Sequence, residues 1–491
     1  MKKLPTAIFA IAAASAAFAK QLPNIVLVLC DDFGYGSLNS YGASDKLVKT
    51  PNMDSIGKDG IRFTNVHAPS SVSSPTRYAV LTGRYPWRTE MNFGVWGFEP
   101  LLIGKDTLTL QQMLKSKGYA TACIGKWHLG YGDKRRKFND MDFRDDLTAK
   151  GVNSTGFDYS FTIPQNHGDI SGIYLENDKI WGLRSNKTVD NGKTLSGNPY
   201  MGYDAPQRVN EEVLQKLNEK TFAWLDRVPK DKPFFLYYPT PAVHAPITPS
   251  KKNAGKSPAG AYGDFVMDLD DAVGDLISYL KKRGQYDNTI FIFTSDNGAQ
   301  HCAPNYDRTK KNVPILNHVQ DANRAGFYPN GNLTLGKTFI TEGGTRVPFM
   351  VRWPGHIPEG AVSDQAFSLV DIMATLAGVV DYKLDKSAAN GTCDSYDVFD
   401  MWLNKKMERP NIITAGESGI HAIRNGNVKY IDGKQMRRKV DRRPYETKPS
   451  MYDLNEDLKE TEDISVKNPE LAKKLAETLN KIMEEGTSFI D

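Results

Sequence analysis

Apolar runs that end abruptly in polar residues are the clearest pattern of this chain. The segments "NIVLVLCDD" (24–32), "PFFLYYPTPAVHAP" (233–246) and "TIFIFTSDNG" (289–298) each pass from an uninterrupted apolar stretch to polar side chains. Such stretches predict strands buried on both faces, which are typical of a mostly parallel sheet. A further strand is predicted over "YATACIG" (119–125).

Amphipathic segments between these runs predict helices. "DFVMDLDDAVGDLISYLKKRG" (264–284) places apolar residues three and four positions apart, which predicts a long helix that ends at Gly284. "LTLQQMLKSKG" (108–118) predicts a shorter helix with Thr107 or Asp106 as its N-cap. Strands that alternate with helices predict an α/β fold, in which ligands bind beyond the carboxyl ends of the strands.

The pattern changes in the last part of the chain. "GIHAIRNGNVKYI" (419–431) predicts a β-hairpin that turns at Asn425-Gly426. "NPELAKKLAETLNKIMEE" (468–485) predicts a closing helix. These short elements predict a small α+β subdomain at the C-terminal end.

Length and the first residues bear on domains and compartment. With 491 residues, the chain is longer than one small core usually fills, so we expect domains over residues 20–385 and 386–491. Two lysines, an apolar run and a small-x-small pattern predict a secretory signal peptide over residues 1–19. Because this run is too short to span a bilayer, a secreted protein without a membrane anchor is expected.

Charge and cysteine content narrow the range of partners. A formal net charge of +4 gives no reason to expect nucleic acid and does not repel an anionic substrate. The basic stretches 133–138 and 436–443 are interpreted as solvated loops, or alternatively as a rim that attracts an anionic polymer. The cysteines lack metal-ligand spacing and are expected to be buried free thiols. They are Cys30, Cys123, Cys302 and Cys393.

Acidic residues follow two of the predicted strands. Asp31 and Asp32 end one strand, and Asp296 and Asn297 end another. If the strands are neighbours, three carboxylates converge, and without a counter-charge they repel strongly. A hard divalent cation relieves that repulsion, and oxygen ligands suit Ca²⁺ or Mg²⁺ better than Zn²⁺. The alternative for an Asp-Asp pair after a strand is an ordinary turn.

Basic residues also stand at predicted strand ends. In "GKWHLG" (125–130), alternation along an extended chain predicts that Lys126 and His128 share one face. Together they suggest an anion clamp and a proton carrier, although each alone can be a structural residue. His244 in "TPAVHAP" and Lys337 before a glycine turn are further candidates.

At Ser73 the chain resembles a known family. "SSPTRYAVLTGR" (73–84) resembles the signature of the formylglycine-dependent, type I sulfatases: Cys or Ser, any residue, Pro, a small residue and Arg, before a helix with Leu-Thr-Gly-Arg. The blocks "DDFGYG", "GKWHLG", "SDNG" and "GGTRVPFMVRWPG" are similar to sulfatase blocks in the same order. The chain is thus identified as similar to arylsulfatase A-like bacterial glycan sulfatases of the serine type.

The resemblance implies an alkaline-phosphatase-like fold and hydrolysis of sulfate esters with one bound Ca²⁺. It further implies that a radical maturation enzyme oxidises Ser73 to formylglycine, and that the protein works in the periplasm. A serine hydroxyl is a poor nucleophile without a base, whereas an aldehyde hydrate held on a cation loses its proton far more easily. Two departures stand out: Ser37 replaces a common Asp, and Thr76 replaces a smaller residue.

The resemblance also assigns roles to single residues. The implied calcium ligands are Asp31, Asp32, modified Ser73, Asp296 and Asn297. Arg77 and Lys126 would stabilise the hydrate, and Lys126 and Lys337 would bind the sulfate oxygens. His128 would be the base that releases sulfate, and His244 would protonate the leaving alcohol.

Substrate choice is expected to lie in loops outside the signature. "SPTRYAVLTGRYPWRT" (74–89) together with "FTIPQNHGDISGIYLEND" (161–178) resembles a group that acts on 6-O-sulfated galactose or N-acetylgalactosamine at chain ends. Asn166, His167 and Asp169 would read sugar hydroxyls there, or belong to an ordinary polar loop.

Two other functions stay open at this point. One is a phosphoester hydrolase of the same superfamily, which would often hold two metals with several histidines. Since no histidine cluster is predicted beside either acidic pair, one metal is favoured. The other is a secreted, inactive glycan-binding relative, in which Ser73 only caps a helix.

Overall fold

The computed structural model describes most of the chain. The described residues are 22–89, 99–134, 142–144, 150–169, 171–193, 199–303, 314–387, 391–417, 419–433 and 448–490. The predicted signal peptide (1–19) and the basic stretch 436–443 lie outside them, as does most of the stretch 133–138.

The described residues contain seventeen strands and ten α-helices. The strands are β1 (Asn24–Cys30), β2 (Ile61–His67), β3 (Ala120–Lys126), β4 (Tyr159–Ile163), β5 (Leu175–Glu176), β6 (Lys179–Ile180), β7 (Ser185–Lys193), β8 (Pro199–Asp204), β9 (Phe234–Pro239), β10 (Thr289–Ser295), β11 (Arg346–Arg352), β12 (Ala361–Ser363), β13 (Phe367–Ser368), β14 (Ile412–Ala415), β15 (His421–Asn425), β16 (Val428–Ile431) and β17 (Ser450–Asp453). The helices are α1 (Pro51–Lys58), α2 (Ser73–Thr82), α3 (Leu110–Ser116), α4 (Val213–Arg227), α5 (Gly260–Arg283), α6 (Pro314–Arg324), α7 (Glu342–Thr345), α8 (Ile372–Val379), α9 (Phe399–Trp402) and α10 (Pro469–Glu485).

One large sheet carries the fold. Its strand order is β12-β2-β11-β10-β1-β9-β3-β4-β5-β6, with β13 also paired to β2. The five central strands, β10 to β4, are parallel. Antiparallel pairs occur toward both edges, at β11 and at β5 and β6. The predicted α/β fold with a mostly parallel sheet is therefore confirmed, and helices flank the sheet on both faces.

The apolar runs form the central strands because both of their faces are covered. Every residue of β1, β3, β9 and β10 is buried. α5 ends at Gly284, whose left-handed φ of 71° favours glycine, as predicted. All four cysteines are buried and free, also as predicted.

Two local predictions are wrong by one or a few residues. The N-cap of α3 is Thr109 rather than Thr107 or Asp106, because Thr109 and Gln112 bond each other's backbone N–H in a capping box. The hairpin of β15 and β16 turns at Gly426 and the residue after it, one position later than predicted, since Gly426 takes the positive φ of 56° that the turn needs.

The C-terminal part forms a separate sheet that packs on the helix bearing Ser73. Strands β14 to β17 form an antiparallel four-stranded sheet, covered by α10. Its core includes Ala79 of α2 and Tyr85 just beyond that helix. α9 packs with the core of the large sheet through Trp402, which contacts Phe349 of β11. The division at residues 385 and 386 stays a prediction.

Among the described residues, none of the helices combines the length and the apolar character that crossing a bilayer requires.

Candidate active site

Parallel pairing brings the predicted acidic strand ends together. β1 lies between β9 and β10, with Cys30 opposite Ser295, so Asp31 and Asp296 follow at the same level. The Asp296 N–H donates to the Cys30 carbonyl at 3.0 Å. The Asp32 N–H donates to Asp296 Oδ1 at 3.1 Å. The first and second acidic pairs thus form one cluster at the carboxyl edge of the sheet.

Ser73 is directed into this cluster from the first residue of α2. The preceding Val72 is extended and makes no side-chain cap. The Ser73 hydroxyl instead donates to Asp31 Oδ1 at 3.1 Å and receives a hydrogen bond from Lys126 Nζ at 3.3 Å. Only 3% of Ser73 is exposed. Its hydroxyl is therefore held by the acidic cluster and not by the helix.

Ser74 is the second residue of α2 and bonds to another segment of the site. Helix α2 begins one residue earlier, and the Ser74 hydroxyl donates to the backbone carbonyl of His128 at 2.7 Å. This bond joins the first turn of α2 to the loop after β3.

Three cations are paired with the three carboxylates of the cluster. Arg77 Nη2 lies 2.7 Å from Asp296 Oδ2, and Lys126 Nζ lies 2.7 Å from Asp31 Oδ2. Lys337 Nζ lies 2.8 Å from the second of the paired aspartates, at Oδ2 of residue 32. Cations from three distant segments supply the counter-charge, which no single segment reveals.

Burial and neighbouring charge shift the ionisation of these groups in different directions. Burial would raise the pKa of Asp31, but Lys126 and the other cations outweigh it and hold that pKa well below its usual range. Burial raises the pKa of Asp296 to about 6, despite the favourable charge of Arg77. Burial also lowers the pKa of Lys126 to about 8. Strongly shifted groups in one cluster are typical of a catalytic site.

The donor atoms of the cluster fit a hard cation. Ligand atoms of Asp31, Asp32 and His244 all lie within 4.8 Å of one another. The Asn297 Nδ2 group donates to Asp32 Oδ1 at 2.9 Å, whereas Asn297 Oδ1 is buried without a hydrogen-bond partner among the described residues. A buried amide oxygen beside carboxylates is a ligand suited to Ca²⁺ or Mg²⁺.

His244, a candidate from the end of a predicted strand, lies beside the first acidic pair. Its Nε2 is 3.7 Å from Asp32 Oδ2. Burial and then Lys337 lower the pKa of His244 to about 4. Its Nδ1 donates to the Ala245 carbonyl at 2.7 Å, which leaves the lone pair of the neutral ring on Nε2.

His128 reaches the same region by a turn, not by an extended strand. β3 ends at Lys126, and His128 has a left-handed φ of 58°. The premise of simple alternation is therefore wrong. Burial, with Lys126 and Arg77 nearby, holds the pKa of His128 well below its usual value. Its Nδ1 is buried without a hydrogen-bond partner among the residues described.

The loop at residues 166–169 borders the cluster on the side of His244. His167 Nε2 lies 3.3 Å from Thr248 Oγ1, and burial followed by the charge of His244 lowers the pKa of His167 to about 3. Two acceptor atoms of this loop, Asn166 Oδ1 and Asp169 Oδ2, are buried without hydrogen-bond partners within the described part of the chain. These atoms could accept hydrogen bonds from a ligand.

Arg208 holds this loop, and the sequence contained no signal for it. Its Nε donates to the His167 carbonyl at 2.7 Å, and its Nη1 donates to the Ile173 carbonyl at 2.5 Å. Its Nη2 lies 3.2 Å from Asp169 Oδ1. The arginine stands in "APQRVN", a stretch without a motif.

Acid is expected to destabilise the protein well above the pH at which ordinary carboxylates titrate. Burial lowers the pKa values of His67 and His244 to about 4 and that of His167 to about 3. In the unfolded chain a histidine takes up its proton near pH 6.5, so the unfolded state binds more protons below that pH. Each such histidine should then reduce the free energy of unfolding by about 1.4 kcal/mol per pH unit between pH 6.5 and its folded pKa.

Urea unfolding at a series of pH values from 7.5 to 4.5 measures this slope. The His67→Gln variant is the matched control and should have a slope smaller by one proton. A free energy of unfolding that stays constant over this range would contradict the expectation.

Together, the strand order and the cluster of paired carboxylates, cations and Ser73 define a hydrolase of the alkaline-phosphatase-like fold. Residues 23–382 match the family model described as Sulfatase, and the chain belongs to the sulfatase family. It is a sulfuric ester hydrolase, as the sequence predicted.

Proteins of known name match this chain over most of its length. The N-acetylgalactosamine-6-O-sulfatase of Bacteroides thetaiotaomicron is 33% identical over 506 residues, which cover 94% of this chain and 93% of that protein. The N-acetylgalactosamine-6-sulfatase of Mus musculus is 32% identical over 438 residues, which cover 84% of this chain and 72% of that protein. A solved structure concerned with glycosaminoglycan metabolism by Bacteroides thetaiotaomicron has a TM-score of 0.82 at 30% identity, and the match covers 94% of this chain and 100% of that chain.

Proposed function

We propose that this sulfatase removes the 6-O-sulfate from galactose or N-acetylgalactosamine at the end of a sulfated glycan. The observation that carries the proposal is the 33% identity, over 94% of this chain, to an N-acetylgalactosamine-6-O-sulfatase. The polar loop at residues 166–169 supports it, since Asn166 Oδ1 and Asp169 Oδ2 offer acceptors to sugar hydroxyls beside His244. Arg208 fixes that loop.

The cations of the site bind the sulfate group of the substrate. Lys126 and Lys337 direct their ammonium groups at the acidic cluster, where Lys126 pairs with Asp31 and Lys337 with Asp32. An ester sulfate carries negative charge on its oxygens throughout the reaction. Buried cations directed at that charge stabilise it more strongly than they would in water.

Formylglycine at position 73 supplies, when present, a carbonyl group whose hydrated form is a better nucleophile than a serine hydroxyl. The residues around Ser73 suit that chemistry. Asp31 accepts a hydrogen bond from the Ser73 hydroxyl at 3.1 Å, and Lys126 Nζ is directed at the Ser73 oxygen at 3.3 Å. Arg77 pairs with Asp296 at 2.7 Å and supplies its counter-charge.

Calcium would be held by the oxygens of Asp31, Asp32, Asp296 and Asn297, with residue 73. Bound there, the cation supplies positive charge to the reacting oxygens. The unpartnered Asn297 Oδ1 supports this assignment.

We expect calcium to raise the melting temperature of the wild-type protein. The Asn297→Ala variant should need about tenfold more calcium for the same rise. An equal response of both proteins would count against Asn297 as a ligand.

The histidines move protons at defined atoms. Because Nδ1 of His244 donates to a carbonyl, Nε2 is the atom that can take up and release a proton. An anionic ester bound beside this ring raises its pKa, so Nε2 can then protonate the leaving sugar oxygen. His128, with an unpartnered Nδ1, is the base for release of sulfate.

The remaining proposals concern export, domain organisation, maturation and substrate. Residues 1–19 would direct export to the periplasm, where residues 20–385 act as the catalytic domain and residues 386–491 as the C-terminal subdomain. A radical maturation enzyme would oxidise Ser73, and the substrate would be a sulfated saccharide. The bacterial relative named as an N-acetylgalactosamine-6-O-sulfatase supports the sulfated saccharide as the substrate.

Two measurements on protein purified from its native host test the proposal. The tryptic peptide that ends at Arg77 should lack two hydrogens at Ser73. Turnover should be fastest on 6-O-sulfated N-acetylgalactosamine or galactose in a panel that includes 4-O-sulfated and N-sulfated sugars. An unmodified peptide with full turnover would disprove the formylglycine step, and a preference for another sulfate position would disprove the substrate assignment.

A further inference from the structure

The segment that carries Lys337 is held in a strained conformation. Leu335 and Thr338 have left-handed φ values of 58° and 78°, although neither is glycine. For a β-branched residue such as Thr338 this conformation is a genuine outlier. Strain of this kind persists only where the surrounding structure enforces it. The contacts that enforce it therefore decide where the Lys337 ammonium group lies.

Part of that support comes from the large domain. The Lys337 N–H donates to the Ala299 carbonyl at 2.8 Å, and the Asn330 side chain donates to the Leu335 carbonyl at 2.9 Å. The Thr338 N–H donates to the Ser71 carbonyl at 2.9 Å. The last of these bonds ties the strained segment to the residues just before Ser73.

The C-terminal subdomain supplies a second set of contacts, to residues that follow the strained segment. Lys429 of β16 donates from Nζ to the Ile340 carbonyl at 2.9 Å and to Glu342 Oε1 at 3.0 Å. Glu460 Oε2 accepts from the Glu342 N–H at 2.7 Å, and Glu460 Oε1 binds Lys429 at 2.7 Å. Glu342 is thus held through both its backbone and its side chain.

The ion pairs around Glu342 are buried, and each charge in them is matched by an opposite charge. The side chains of Lys429, Glu342 and Glu460 are 3%, 0% and 1% exposed. Arg346 and His67 complete the surroundings of Glu342, at 2.9 Å and 3.0 Å from its Oε2. Removing the Lys429 charge leaves the buried Glu460 carboxylate without the cation that binds it. An unpaired charge in the interior is costly, which favours a shift of the backbone that these groups hold.

We propose that Lys429 and Glu460 are positioning residues for Lys337: by holding Glu342, they keep the strained segment in the one conformation that places the Lys337 ammonium group on Asp32. The C-terminal subdomain then completes the sulfate-binding site without touching the substrate. This inference rests on the proposed role of Lys337 in binding sulfate oxygens.

A double-mutant cycle with inorganic sulfate as the ligand tests the proposal. Calorimetric titration gives the sulfate Kd of the wild type, Lys337→Ala, Lys429→Met and the double variant. We expect Lys337→Ala to weaken binding about tenfold. Lys429→Met should weaken it about fivefold in the wild-type background and leave it unchanged in the Lys337→Ala background. A residue that acts only on overall stability would not show this dependence on Lys337.

Two further variants serve as a replacement for Lys429→Met and as a control. If Lys429→Met does not fold, Glu460→Gln takes its place in the cycle. This variant retains an acceptor for the Glu342 N–H and should give a smaller effect of the same pattern. Arg409→Met breaks the equally buried pair with Asp371 (3.0 Å), away from the strained segment. It should lower the melting temperature and leave the sulfate Kd unchanged.

The possible failures are distinguishable. If Lys337→Ala binds sulfate as well as the wild type, the proposed role of Lys337 is wrong, and the inference is overturned with it. If Lys337→Ala weakens binding but Lys429→Met has no effect, or the same effect in both backgrounds, only the positioning role is overturned.

Discussion

Replacing Ser73 by alanine is expected to reduce sulfate ester hydrolysis by about 10⁵-fold or more, the scale on which loss of a nucleophile acts. Residue 73 is the only hydroxyl that contacts both Asp31 and Lys126 among the described residues. Alanine supplies no oxygen that could attack sulfur or be oxidised to an aldehyde. Steady-state turnover of a 6-O-sulfated sugar by protein from the native host measures the loss.

Ser71→Ala is the matched control for this substitution. The Ser71 hydroxyl is buried two residues earlier and has no hydrogen-bond partner within the described residues, so its loss should leave turnover unchanged. Turnover by Ser73→Ala within a hundredfold of wild type would show that another group attacks the ester.

Replacing Lys126 by methionine should lower kcat/KM about 10³-fold, because one buried cation directed at the sulfate oxygens is lost. Lys126 is fully buried, 2.7 Å from Asp31 Oδ2. Its loss leaves that carboxylate partly unpaired, so unfolding should also become easier by about 3 kcal/mol. Turnover is measured per folded molecule, and stability by urea unfolding.

An exposed lysine provides the comparison for Lys126. Lys115 pairs with Asp158 at 2.6 Å, but the two side chains are 52% and 37% exposed. Lys115→Met should cost at most about 1 kcal/mol and leave kcat/KM as it is. If both methionine variants retained full turnover, Lys126 would have no role beyond stability.

The central sheet could be predicted because its covered strands have a distinctive composition. A strand buried on both faces must be apolar throughout, as in β1 and β10, and it ends where polar groups can meet a ligand. Asp31 and Asp296 could be assigned to one cluster on that basis. The sulfatase signature around Ser73 supplied the activity.

Contacts made by distant residues could not be predicted in this way. Lys429 bonds to Glu342, 87 positions earlier, and to Glu460, 31 positions later, and no local pattern records either bond. The pairing of Lys337 with Asp32 spans 305 positions. The position of His128 depends on a left-handed backbone turn that alternation along a strand does not describe.

The burial of Ser73 also determines whether its proposed oxidation comes before or after folding of the chain. With 3% of the residue exposed and its hydroxyl bonded to Asp31, the folded protein offers no access to another enzyme's active site. The proposed oxidation of this residue must therefore precede folding, and the two processes compete in time. Conditions that speed folding of the newly made chain should lower the fraction of active molecules, without any change in the amount of folded protein.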